Sequence, residues 1–171
     1  SLARRLSRFD WSAVEHAVLK VLYESVLSAQ TRKALGEYYP PDWLANRVVS
    51  QTVTDPLNQR VLDPSCGSGT FLFYAVRRFL AAADASGVSL ADAMAQVSSQ
   101  VIGIDLHPVA VALARVTYLL ALGRDRLNAR ERGSLSVPVY LGDSLGWDQR
   151  DDLLTVDYLV IPTDTGDQLL S

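Results

Sequence analysis

Residues 60–70 constrain this chain more than any other stretch. Arg60-Val61-Leu62 reads as a short strand. The segment after it, Asp63-Pro64-Ser65-Cys66-Gly67-Ser68-Gly69, is too rich in glycine and proline for regular structure. A helical period begins at Thr70, with Phe71, Ala75 and Phe79 in one row, and runs to about Ala85 with Gly87 past its end. Strand, glycine turn and helix in that order set free helix N-terminal amides beside a backbone bare of side chains at Gly67 and Gly69. A ligand can approach such a backbone closely.

The same alternation continues downstream. Ser89 with Asp92 suggests a short helix, and Val101-Ile102-Gly103-Ile104-Asp105 reads as a buried strand. Pro108, in a first-turn position, opens a helix that reaches Leu122 and stops at Gly123. Val137 to Leu141 is a third strand and Val156 to Ile161 a fourth, while residues 124–136, rich in Arg, Gly and Ser, read as a flexible loop. Upstream, the first 36 residues look helical. Ser12 and Glu15 form a capping-box pair, Gly36 is a stop, and Tyr38-Tyr39-Pro40-Pro41 breaks the helix. A second helix follows from Asp42 to about Thr54. The organisation is a helical segment over 1–57 and an α/β core over 58–171.

Strands alternating with helices predict a mostly parallel sheet with helices on its faces. Ligands bind such sheets at the carboxyl ends of the strands, where Asp63, Asp105 and Asp143 stand here. Three carboxylates along one edge suit a ligand with hydroxyl, amino or cationic groups better than a bare phosphate. The sequence has 171 residues, 49% apolar, enough for one sizeable core, and no apolar run long enough for a transmembrane helix. A single cysteine, Cys66, cannot form an internal disulfide, which favours a reducing, cytoplasmic setting. Net charge is +2 over residues 1–60 and −5 over 61–171, so no strongly basic nucleic-acid footprint is present.

Two nucleotide-binding patterns can be set against the glycine turn. A P-loop is excluded, because no lysine follows the glycines. The dinucleotide fingerprint fits poorly: Leu72 stands where it wants Gly or Ala, and Asp105 lies 36 residues past Gly69 instead of about 20. It stays open as an alternative.

Asp63-Pro64-Ser65-Cys66-Gly67-Ser68-Gly69-Thr70-Phe71 resembles the cofactor motif of S-adenosylmethionine-dependent DNA adenine-N6 methyltransferases, Asp-Pro-x-Cys-Gly-Ser-Gly-x-Phe. Leu22-Tyr23-Glu24 and Gly36-Glu37-Tyr38-Tyr39-Pro40-Pro41 are similar to that family's upstream helix and Tyr-Thr-Pro loop. Ile104-Asp105-Leu106-His107-Pro108 resembles its second motif and Gly142-Asp143-Ser144-Leu145 its third. The motif order is that of the restriction-modification and phage-defence group, and the resemblance covers about residues 20–160. It implies a Rossmann-like methyltransferase sheet with a helical N-terminal extension. Four strands are readable where the family uses seven, so an incomplete sheet with exposed apolar edges is expected.

The resemblance also implies roles. Asp63, Pro64, Cys66, Gly67, Gly69 and Thr70 would surround the methionine end of S-adenosyl-L-methionine, with the backbone near Tyr39 closing over its carboxylate. Asp105 would bind the ribose hydroxyls. Leu106 would pack on the adenine, and Asp143 with Ser144 would meet its exocyclic amine. Two departures stand out: Pro40 replaces the family's threonine, and the catalytic Asn/Asp-Pro-Pro-aromatic motif is missing. The fourth strand runs instead into Pro162-Thr163-Asp164-Thr165-Gly166. No catalytic residue is therefore assigned. The expectation is the cofactor-binding portion of a longer DNA methyltransferase, inactive alone, meeting DNA mostly through parts outside this chain, with specificity or defence subunits as candidate partners. The rival is a non-catalytic binding or scaffold module. Plainer readings apply elsewhere: Cys66 as space-filler, His16 and His107 as surface and turn residues with no metal bound, Arg77-Arg78 as a solvated helix face, Asp143 equally as a turn former.

Overall fold

The computed structural model describes residues 40–145 and the backbone of two later strands, Leu159–Thr163 and Gly166–Leu170. The expected N-terminal helices, His16 and the loop residues Tyr38 and Tyr39 lie outside the described residues. Helix α1 (Asp42–Thr52) begins directly after Pro41, which is extended and leads into the first turn. Strand β1 (Val61–Asp63) leads through the glycine turn to α2 (Thr70–Ala85), then α3 (Leu90–Gln100) and β2 (Val101–Asp105). Helix α4 (Pro108–Leu122) returns the chain to β3 (Val139–Leu141).

Local chemistry explains these boundaries. The Ser89 hydroxyl accepts from the Asp92 amide and caps α3. Pro108 fills the first turn of α4, where a missing N–H costs nothing. Gly123, at φ +84°, ends that helix. β1, β2 and β3 form one parallel sheet in that order, with Asp63 beside Gly103 and Asp105 beside Leu141. The first strand thus ends on Asp63 itself, one residue later than its sequence suggests. The third begins two residues later, although the Pro138 carbonyl still accepts from the Gly103 amide at 2.9 Å.

Two expectations are corrected. Residues 124–136 are not a plain loop: they hold a one-turn helix, α5 (Arg124–Asn128), and a 3-10 turn at Arg130–Arg132. Arg126 pairs with Asp84 of α2, and within the segment Arg132 Nε donates to the Leu127 carbonyl at 2.8 Å, so one distant and one local partner tie it down. The fourth strand, β4 (Leu159–Thr163), does not extend the parallel sheet. It pairs antiparallel with β5 (Gly166–Leu170), since a two-residue connection can join strands only as a hairpin.

The core lies where α2 and α4 meet over one face of the sheet. Leu72, Val76, Phe79, Met94, Tyr118 and Leu122 are almost wholly buried there. Tyr118 keeps its hydroxyl satisfied by donating to the Val97 carbonyl at 2.9 Å. β2 alternates: Val101, Gly103 and Asp105 are buried, whereas Ile102 and Ile104 are half-buried. Arg115 Nε donates to the Val139 carbonyl on β3, and on the other face of the sheet Leu62 of β1 and Tyr140 of β3 are 57% and 49% exposed.

Candidate functional site

The carboxyl ends of the three parallel strands open onto one edge of the sheet, and each delivers an aspartate there. Asp63 ends β1, Asp105 ends β2, and Asp143 follows β3 by two residues. The glycine turn closes the site from the β1 side. Gly67 and Gly69 hold φ of +54° and +89°, which residues with side chains rarely adopt. At Gly69 a Cβ would also come within 3.1 Å of the Ala114 backbone, so this glycine lets α2 and α4 meet closely beneath the site.

Asp105 is the most connected of the three. It is only 9% exposed. Its Oδ2 accepts from the Gly67 amide at 2.8 Å and its Oδ1 from the His107 amide at 2.9 Å. Its main-chain carbonyl accepts from the Gly142 amide at 3.0 Å. The turns after β1, β2 and β3 therefore all touch one residue.

Asp63 is placed differently. One carboxylate oxygen accepts from the Ser65 amide at 3.3 Å, while the other is buried without a hydrogen-bond partner. Burial pushes this carboxyl above its ordinary value, the Ser65 amide works against that, and the charge of Asp105 adds to the rise. An unsatisfied buried carboxylate oxygen next to a glycine turn fits a donor or cation supplied by a ligand.

The remaining sequence candidates sort by exposure. Cys66 is buried beneath the turn, its amide donating to the Ile104 carbonyl at 2.9 Å. Burial chiefly, with the charges of Asp63 and Asp105, pushes its thiol up to about 12, so it is a packing group and no thiolate nucleophile. Thr70 and Ser68 are buried with hydroxyls lacking partners. Pro64 is exposed and Ser144 half-buried. Leu106, 67% exposed at the mouth of the site, offers a bare apolar surface. Asp143 is exposed, and its Oδ1 accepts from the Leu145 amide at 2.9 Å, so it does form the turn its sequence allows. Tyr39 lies outside the described residues.

Sequence reasoning misses Gly103. A Cβ there would sit 2.5 Å from Leu72 Cδ1 and 3.2 Å from Cys66 Sγ, so this glycine lets the turn and α2 settle onto β2. A glycine inside a strand is itself the signal of close approach. Among the described residues, no group of three His, Cys, Asp or Glu could hold a metal ion, and no helix is long and apolar enough to cross a membrane.

Comparison with known proteins bears on the family and the fold. Residues 15–162, well over half of the chain, match the family model described as N-6 DNA Methylase. The adenine-specific methyltransferase PglX of Streptomyces coelicolor is 28% identical over 136 residues, covering 72% of this chain. The chain spans only 11% of the length of that curated relative. Among solved structures, the Type I restriction enzyme EcoKI M protein aligns with a TM-score of 0.50 at 21% identity. That alignment covers 66% of this chain and 22% of the other, and it carries the likeness of fold.

Proposed function

This chain belongs to the N-6 DNA methylase family, and from that premise we propose that it is the S-adenosyl-L-methionine-binding portion of a DNA adenine methyltransferase. The observation that carries the reading is the glycine turn lying against Asp63 and Asp105, with one buried oxygen of Asp63 unpaired. An amino-acid ammonium and a ribose diol are the donors this arrangement lacks. A nucleotide triphosphate would meet three carboxylates instead, which like charge disfavours.

The cofactor, when bound, supplies a methyl group activated by a sulfonium centre. Holding that cofactor falls to this chain. Asp63 accepts from the methionine ammonium through its unpaired oxygen, and the amides around Gly67 and Gly69 present donors without side chains in the way. Asp105 accepts from the ribose hydroxyls, Leu106 covers one face of the adenine, and Asp143 accepts from its exocyclic amine. By its motif, the backbone near Tyr39 would meet the methionine carboxylate.

Methyl transfer to DNA is assigned to the whole protein. It needs an extruded adenine held with acceptors on its amine. No Asn-Pro-Pro-aromatic motif stands in these 171 residues, and a net charge of −3 favours no phosphate backbone. We therefore expect residues 1–171 to bind cofactor and to transfer no methyl group alone. The partners follow from the same reading: DNA, met mostly through other parts of the protein, and specificity or defence subunits in a cytoplasmic restriction-modification or phage-defence system. Calorimetry on the chain should show binding of S-adenosylmethionine, weakened roughly tenfold or more by Asp105→Ala as charge-assisted hydrogen bonds are lost. Preference for NAD, or unchanged affinity in that variant, overturns the assignment.

A further inference from the structure

Two adjacent arginines of α2 read from sequence as a solvated helix face, and the structure gives them another setting. Arg77 and Arg78 line a groove of about 500 Å³ that runs past Tyr74 and Ala82, with Asn46 of α1 and Pro56 beyond it on the other side. The Arg77 guanidinium lies over the Phe73 ring, 5.4 Å from its centroid. Stacking uses the flat face of the group and leaves its N–H edge able to donate. Arg78 is half-buried, and its Nε donates to the Val53 carbonyl just past α1. That bond anchors the group and leaves its two terminal nitrogens as donors. Among the described residues neither arginine pairs with a carboxylate, whereas Arg126 does, with Asp84.

We propose that this groove docks an extended segment of a partner protein that carries one Asp or Glu between apolar residues. The proposal uses none of the strand-end residues and so stands apart from the cofactor reading. Two oriented guanidiniums offer a carboxylate paired N–H donors. Burial and then the charge of Asp42 push the Tyr74 phenol up, so at neutral pH it is a further donor. The Tyr74 ring, Pro56 and Ala82 give the neighbouring side chains apolar surface. From Tyr74 to Ala82 the helix rises about 12 Å, roughly the length of four extended residues. Charge decides between a protein segment and a nucleic acid. Asp42 acts on Tyr74 at one end of the groove, Asp55 adjoins Pro56 at the other, and residues 61–171 carry a net −5. A chain of phosphates would meet those carboxylates, whereas a segment with a single negative charge places it on the arginines alone.

The test is an NMR titration of the chain with two capped pentapeptides, acetyl-Ser-Leu-Glu-Leu-Ser-amide and its Gln counterpart. Affinity on the order of 1 mM is expected of so small a probe. The Glu peptide should shift the amide signals of Asn46, Tyr74, Arg77 and Arg78, and the Gln peptide should bind at least about fivefold more weakly. Arg77→Gln should at least halve that preference, with signals elsewhere in the spectrum unchanged. No shift at about 5 mM peptide, equal shifts from both peptides, or a preference untouched by Arg77→Gln overturns the proposal. Sodium acetate giving the same shifts at the same concentration also overturns it, because the arginines would then hold any anion. A five-nucleotide thymidine strand that binds the same residues more tightly than the Glu peptide overturns it in favour of a nucleic-acid surface. Should the variant fail to fold, the wild type's choice between the two peptides decides alone.

Discussion

Replacing Gly103 with alanine adds one methyl group where the structure has no room for it. The new Cβ would lie 2.5 Å from Leu72 Cδ1, 3.2 Å from Cys66 Sγ and 3.4 Å from Cys66 Cβ. Carbon atoms pack comfortably at about 3.5–4.0 Å, so Leu72 must move by roughly an ångström. It is fully buried, and Cys66 is 6% exposed, so neither side chain can swing into solvent. Overpacking of this kind costs about 1–3 kcal/mol. With a urea slope of about 1–3 kcal/mol per molar for a small domain, the unfolding midpoint should fall by roughly 1 M. Circular dichroism across a urea series reads this directly. Leu72→Ala alone leaves a cavity and should cost about 2–5 kcal/mol. In the Gly103→Ala background the new methyl occupies part of that cavity, so the double variant should be more stable than additivity predicts by at least about 0.5 kcal/mol. Strict additivity, or a Gly103→Ala midpoint equal to wild type, would refute the claim that glycine is required for close approach here.

Three further outcomes are expected. Asp63 carries a carboxyl whose folded value is raised, so its protonated form favours the folded state. Stability of the ligand-free chain should therefore decline as pH rises from the ordinary carboxylate value, 3.8, through the higher folded value, and Asp63→Asn should flatten that decline in thermal melts. Leu106→Ser should leave the unfolding free energy in urea within about 0.5 kcal/mol of wild type, since Leu106 is 67% exposed, while lowering calorimetric affinity for S-adenosylhomocysteine severalfold. Tyr118→Phe removes the donor to the Val97 carbonyl inside the core and should cost about 1 kcal/mol in urea unfolding; no loss would mean that the hydroxyl contributes nothing net.

The sequence made legible those elements that punctuation marks locally. Thr70–Ala85 follows a glycine turn, Pro108–Leu122 runs from a proline to a glycine, and Val101–Asp105 is an unbroken apolar run ending in a charge. What it hid depends on which partners particular side chains and strands take. The order in residues 124–132 comes from Arg126 reaching Asp84 and Arg132 turning back to Leu127. Neither arginine differs in sequence from a solvated one. The fourth strand was readable as a strand, but its partner was not, because strand period carries no information about pairing direction. Of the candidate site, the aspartates and glycines stand out on sequence alone. That Asp105 is tied to Gly67, and that one oxygen of Asp63 is buried and orphaned, are consequences of register between β1 and β2.

That register joins stability to function within a single strand. Successive side chains of a strand point to opposite faces, so residues two apart share one. On the buried face of β2, Val101 enters the core, Gly103 admits Leu72 and Cys66, and Asp105 reaches the glycine turn. The order along the strand is therefore an order of tasks, from packing through close approach to polar contact. A slip of one residue would turn Ile102 and Ile104 onto that face. Ile102 would then occupy the place kept empty by Gly103, against Leu72, and an apolar side chain would replace the acceptor of the Gly67 amide. The core and the site would fail together. The parity of five residues thus makes the ligand edge a consequence of correct packing, and a chain that packs its core correctly has already placed Asp105.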